Sequence, residues 1–71
     1  MNTRLDARMI AAHEAGDQAA LVALYTEAAE AAGDVDAHCF FLTHAYVFAL
    51  EAGAPEAAEL HARLKKLGRE E

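Results

Sequence analysis

The sequence contains no tryptophan and no serine, and only one proline and one cysteine in 71 residues. Because Cys39 stands alone, a disulfide within the chain is excluded, and such cysteine usage is typical of a reducing cytoplasm. No apolar run approaches the ~20 residues that span a bilayer, and the N-terminus has no apolar run of signal-peptide length. We therefore expect a single cytoplasmic domain over residues 1–71, without a membrane-spanning segment.

Lysine and arginine are absent from residue 9 to residue 62, and the formal net charge at neutral pH is −6. All six basic residues lie near the two ends of the chain; they are Arg4, Arg8, Arg63, Lys65, Lys66 and Arg69. An excess of carboxylates repels phosphate backbones and anionic lipids. Nucleic acid and membrane surfaces are therefore not expected as partners.

Strand signals are nearly absent, whereas alanine, leucine and glutamate give a high helix propensity along the whole chain. Each of the four glycines follows an alanine- or leucine-rich segment; they are Gly16, Gly33, Gly53 and Gly68. Many helices end at a glycine in the left-handed conformation, so each of these positions is predicted to end a helix. Asp17, Asp34 and Pro55 then supply start signals. The pattern predicts an all-α fold of four short antiparallel helices, at about residues 3–15, 18–32, 36–52 and 55–67.

The third predicted helix is apolar on two faces. One face is lined by Cys39, Leu42, Thr43, Tyr46, Val47 and Leu50. The opposite face carries Phe41 and Phe48, with His44 beside them. Since a helix that is apolar on two faces is buried on two sides, this helix is either central in the fold or meets another chain. We assign Phe41, His44 and Phe48 to a candidate interaction patch, and Tyr25 and Tyr46 to the core.

The chain also matches itself at an offset of 37 residues. Residues 12–16 align with residues 49–53, and Leu5 falls on Leu42. An offset in the thirties that links two helix–turn–helix units is typical of helical repeats.

With these features the chain resembles the tetratricopeptide-like (TPR-like) families. Their hairpins carry a Gly-Asp turn, then a small residue, an aromatic residue four positions later, and an alanine. Gly16, Asp17, Leu21, Tyr25 and Ala28 follow this spacing, with leucine where a small residue is usual. The chain departs from the family in its offset of 37 rather than about 34 residues, and no proline closes the repeat.

The resemblance implies two TPR-like helical hairpins that stack around a groove and bind peptides or build assemblies without catalysis. Because about three repeats are needed for stability, it also implies dimerisation or packing on a larger protein. We therefore expect a small non-catalytic interaction or assembly module whose partner is another protein or a second copy, as in a homodimer.

A second candidate surface is an acidic dock at one end of the bundle, where antiparallel helices bring carboxylates together without a basic neighbour. Its members are Glu14, Asp17, Glu51 and Glu56. Such a surface suits a basic peptide, whereas the alternative interpretation is a solvated acidic surface that aids solubility.

The alternative function is a helical bundle that binds a metal or small ligand through histidine and Cys39. The histidines are His13, His38, His44 and His61. No two of them are three or four residues apart, so no single helix presents a pair of ligands, and we expect no metal or cofactor. Because a glycine-rich phosphate loop, a nucleophile elbow and a CxxC pair are also missing from the sequence, we expect no enzyme.

Overall fold

The computed structural model describes residues 3–68, which form four helices and no strand. They are α1 (Thr3–Ala15), α2 (Gln18–Ala31), α3 (Val35–Ala52) and α4 (Glu56–Lys66). The prediction of an all-α fold is confirmed. Each helix begins and ends within one residue of its predicted position. None of these helices is long and apolar enough to cross a membrane.

Gly16 and Gly53 end α1 and α3 in the same way. Both are left-handed, with φ of 66° and 65°. After α1 the N–H of Asp17 donates to the carbonyl of Ala12 at 3.0 Å, and the equivalent bond after α3 measures 2.9 Å. These closures are Schellman motifs, which satisfy carbonyls that have no partner within the helix. The echo at an offset of 37 residues therefore corresponds to two equivalent helix ends.

Gly33 does not take the left-handed conformation that its position predicted, since only the other three glycines have positive φ among residues 3–68. Helix α2 ends instead with an extended Ala32. The Ala29 carbonyl in its last turn accepts from Ala32 N–H at 3.2 Å and from His38 Nδ1–H at 2.7 Å. Because a side chain from α3 helps to close this end of α2, no left-handed residue is needed there.

Two aspartates cap the central helices as predicted. A carboxylate oxygen of Asp17 accepts from Ala20 N–H at 3.1 Å, and one of Asp34 accepts from Ala37 N–H at 2.8 Å. Each bond satisfies an amide that has no partner within its own helix. Pro55 stands one position earlier than expected, at the N-cap of α4.

The helices contact one another in chain order, with the α2–α3 contact the most extensive. The Cα atoms extend over 32 × 29 × 11 Å. Two stacked layers with axes about 8–10 Å apart would be thicker than this, so the four helices lie close to a single layer. In such an arrangement each helix is covered mainly by its neighbours in sequence.

Most of the buried side chains among residues 3–68 belong to two clusters. One joins α1 to α2 through Leu5, Ala12, Leu21, Leu24 and Ala28. The other joins α2, α3 and α4 through Val22, Ala29, Leu42, Ala45, Ala49, Leu60 and Leu64. The half-buried rings of Tyr25, Phe41 and Phe48 pack against both clusters and so connect them.

Ion pairs lie between helices of the described residues. Arg8 reaches Glu27 at 3.2 Å, and Arg63 reaches Glu30 at 3.8 Å. Basic residues from the two ends of the sequence are thus partly neutralised by carboxylates of α2, although surface pairs of this kind contribute at most about 1 kcal/mol. Arg69 lies outside the described residues.

Candidate interaction surface

Helix α3, predicted either to be central or to meet another chain, is one of the two inner helices. It packs between α2 and α4, and Leu42, Ala45 and Ala49 are fully buried along this side. The face predicted to carry Cys39 and Leu42 is covered only in part, however. Cys39 and Leu42 are buried, whereas Thr43, Val47 and Leu50 are exposed.

The predicted patch of Phe41, His44 and Phe48 comes together around Tyr25 of α2. Tyr25 stacks on His44 with ring centroids 5.3 Å apart and on Phe48 at 5.4 Å, and Phe41 lies 6.3 Å away. All three patch residues are half-buried. Tyr25 and Tyr46, expected in the core, are half-buried as well and pack against it. The patch residues thus take part in the packing between helices and keep part of their side chains exposed.

His13 extends this group of rings to α1. Its Nε2 shares a hydrogen bond of 3.0 Å with the Tyr25 hydroxyl, and its ring lies 5.7 Å from that of Phe48. No Cα atoms of α1 and α3 come within 8 Å of each other, so side chains bridge the two helices. A depression of about 220 Å³ between the first half of α1, the end of α2 and α3 is lined by Leu5, Met9 and Phe41 among others.

The open part of α3 is a stripe that we call the seam, formed by Phe40, Thr43, Val47 and Leu50. The exposed fractions of its three apolar members are 58% for Phe40, 44% for Val47 and 55% for Leu50. Phe40 rests against the ring of His44 at 4.4 Å and that of Phe41 at 5.4 Å, which holds the seam next to the bridging rings.

Phe40 is not among the site residues predicted from the sequence. The signal that could have identified Phe40 is the spacing of the four seam residues, which are three, four and three residues apart. Residues at this spacing lie on one side of a helix. The sequence pattern alone does not tell this side from the side occupied by Phe41 and Phe48, because both are apolar.

The four residues of the acidic dock are all exposed. Asp17 caps α2, and Glu51 accepts a hydrogen bond of 3.1 Å from the Gln18 amide, which joins the end of α3 to the start of α2. No lysine or arginine occurs between residues 9 and 62, so none belongs to the helix segments that meet here. Asp17 and Glu51 therefore already have hydrogen-bond partners within the fold. The helix segments that meet at this end supply no lysine or arginine to pair with its carboxylates.

Within residues 3–68, no three histidine, cysteine or carboxylate side chains are grouped so that they could hold a metal ion. His38 is engaged by the Ala29 carbonyl and His44 by the Phe40 carbonyl at 2.9 Å. The ring of His61 lies 5.6 Å from that of Tyr46, and Cys39 is buried.

Comparisons with protein-family models, with curated proteins and with solved structures find no match to this chain.

Proposed function

We propose that this chain is a small protein-interaction module and that the seam on α3 is its binding surface. The observation that carries the proposal is the exposure of Phe40, Val47 and Leu50, side by side on the central helix. An apolar stripe of this kind on a small domain is a frequent mark of a protein contact.

The spacing of the seam favours a helix as the partner element. Positions separated by three and four residues are the a and d positions of a coiled coil, which insert between side chains of one facing helix. A partner helix with matching apolar side chains would cover the seam along the length of α3. Covering the exposed parts of Phe40, Val47 and Leu50 contributes about 2–4 kcal/mol to the free energy of binding.

The seam is also presented rigidly. The opposite side of α3 buries Leu42, Ala45 and Ala49 against α2 and α4. Little backbone ordering therefore accompanies binding, which lowers the entropic cost of forming the contact. The acidic dock continues the surface at the C-terminal end of α3 through Glu51, so basic residues on the partner would complement it.

The proposal is tested with a photo-crosslinking amino acid placed at Phe40 in the cells that make the protein. The matched control carries it at Ala19, which is exposed on α2. We expect a crosslinked product of discrete mass from position 40, its loss when Leu50→Glu is added, and no such product from position 19. Equal products at both positions, or none at either, would rule out the seam as a binding surface.

A further inference from the structure

We infer that the partner on the seam is a second copy of this chain, packed antiparallel along α3. The inference rests on the proposed function and specifies its partner. Three features of the described residues support it: the symmetry of the seam, the distribution of charge between the two ends of the layer, and the position of the seam along the helix.

The seam is self-complementary in the antiparallel direction. In an antiparallel pair of helices, a positions pack against d positions. When two copies of α3 cross at the level of Ala45, Phe40 faces Leu50 of the other copy and Thr43 faces Val47. Every apolar member of the seam then has a partner, and the same surface serves both copies. Such an isologous contact closes at the dimer and does not propagate into filaments.

The charges favour the antiparallel over the parallel direction. One end of the layer carries Glu51 and Glu56 without a cation from its own helix segments, whereas the last turn of α4 exposes Lys65 and Lys66. That turn adjoins the beginning of α3, because His38 and Lys66 line one cavity. Antiparallel packing brings the carboxylate end of each copy toward an end of the other copy where these lysines accompany the exposed carboxylates Asp34 and Asp36, and so keeps the two carboxylate ends apart. Parallel packing would bring the two carboxylate ends together, where like charges repel.

A stable dimer contact would cover only a small fraction of the exposed surface of this chain. A stable contact covers about 800 Å² on each partner, roughly one sixth of the 4558 Å² exposed by this chain. Helix α3 has 18 residues and is therefore about 27 Å long. The seam spans residues 40–50, toward the C-terminal end of the helix, with the half-buried His44 and Tyr46 on either side to widen the contact.

The first experiment measures solution mass by light scattering over a wide concentration range. The variants are Phe40→Glu and Val47→Glu, and the matched control is Ile10→Glu, since Ile10 is 59% exposed on α1 and lies outside the seam. We expect a dimer for the wild type and for Ile10→Glu, and a monomer with unchanged helical circular dichroism for both seam variants. A wild type that stays monomeric, or a dimer that persists in both seam variants, would overturn the inference.

The second experiment determines the direction in a Cys39→Ala background with a short bismaleimide crosslinker. In the antiparallel pair the two Thr43 positions are offset by about 6 Å along the axis, and the two Leu50 positions by about 15 Å. We expect a covalent dimer from Thr43→Cys and none from Leu50→Cys. Efficient crosslinking at both positions would show a parallel pair and overturn the antiparallel assignment.

Crosslinking in cells and solution mass together distinguish the proposed binding surface from the proposed second copy. A monomeric wild type whose residue 40 is crosslinked in cells to a different protein retains the seam as a binding surface and excludes only the second copy. A lack of crosslinking at residue 40 in cells, together with a monomer in solution, excludes both.

Discussion

At the scale of single residues, the helix ends are decided by backbone conformation. Gly16 and Gly53 are left-handed, and Gly33 is not. A Cβ added at any of the three would meet no atom within 4 Å, so only the backbone conformation separates them. An L-residue in the left-handed region costs about 1–2 kcal/mol, whereas glycine takes it without this penalty.

We therefore predict that Gly16→Ala and Gly53→Ala each lower the free energy of unfolding by about 1–2 kcal/mol. Gly33→Ala should leave it unchanged or raise it by up to about 1 kcal/mol, because alanine restricts the unfolded chain. Urea denaturation at one fixed protein concentration measures all three. An equal loss at Gly33 would contradict the assignment of its conformation.

Tyr25 provides a second comparison at this scale. Its ring contacts those of His13, Phe41, His44 and Phe48, while its hydroxyl makes one hydrogen bond to His13. We expect Tyr25→Phe to lower stability by about 0.5–1 kcal/mol, since it removes only that bond. Tyr25→Leu should lower it by about 2 kcal/mol or more, because each aromatic pair contributes about 0.5–1.5 kcal/mol beyond area burial. Thermal and urea unfolding distinguish the two, and a larger loss for Tyr25→Phe would place the stabilisation in the hydroxyl instead.

The sequence predicted those helix ends that are determined by neighbouring residues in the chain. The caps at Asp17 and Asp34 and the glycine endings at Gly16 and Gly53 depend on a few consecutive residues. The end of α2 could not be predicted in the same way. It depends on His38, nine residues beyond Ala29 and on another helix.

At the scale of the helix, α3 presents two aromatic sides with different roles. Phe41 and Phe48 connect the two core clusters, whereas Phe40 and Val47 face solvent. Sequence periodicity predicted that α3 is either central or in contact with another chain, because it has more apolar residues than one buried side requires, and α3 is one of the two inner helices. Tyr25 of α2 and His13 of α1 cover Phe48, and this leaves the side with Phe40 and Val47 exposed. Because these covering residues lie on other helices, the sequence of α3 alone could not predict which side is exposed.

This difference gives a direct prediction. The double change Phe41→Glu with Phe48→Glu should unfold the protein, because it places two charges where half-buried rings join both clusters. Phe40→Glu with Val47→Glu should leave the helical circular dichroism intact, since neither side chain contributes to a buried cluster. A folded first variant would show that Phe41 and Phe48 form a free surface patch, as the sequence alone suggested.

At the scale of the whole molecule, contacts follow the chain from α1 to α4, and the α2–α3 contact is the most extensive. Each outer helix has one neighbour, while α2 and α3 have two. Local opening is easiest where fewest buried contacts must be broken. The ends of the layer should therefore open before its middle.

Amide hydrogen exchange tests this directly. We expect the slowest exchange in α2 and α3, at residues such as Leu24 and Leu42, and faster exchange throughout α1 and α4. The Val47→Glu variant, measured alongside, removes the effect of the proposed dimer on α3. Uniform protection across all four helices in that variant would mean that the layer opens only as one unit.

The connection of each helix only to its neighbours in sequence also bears on how quickly the chain reaches its native state. The contacts that hold the layer together are between consecutive helices joined by short turns, which is a topology of low contact order. Helical proteins of this kind fold in microseconds to milliseconds, whereas subunit association takes milliseconds to minutes and depends on concentration. If the seam pairs two copies as we propose, newly made chains complete their helical layer first, and the amount of protein present then governs how soon the seam is covered.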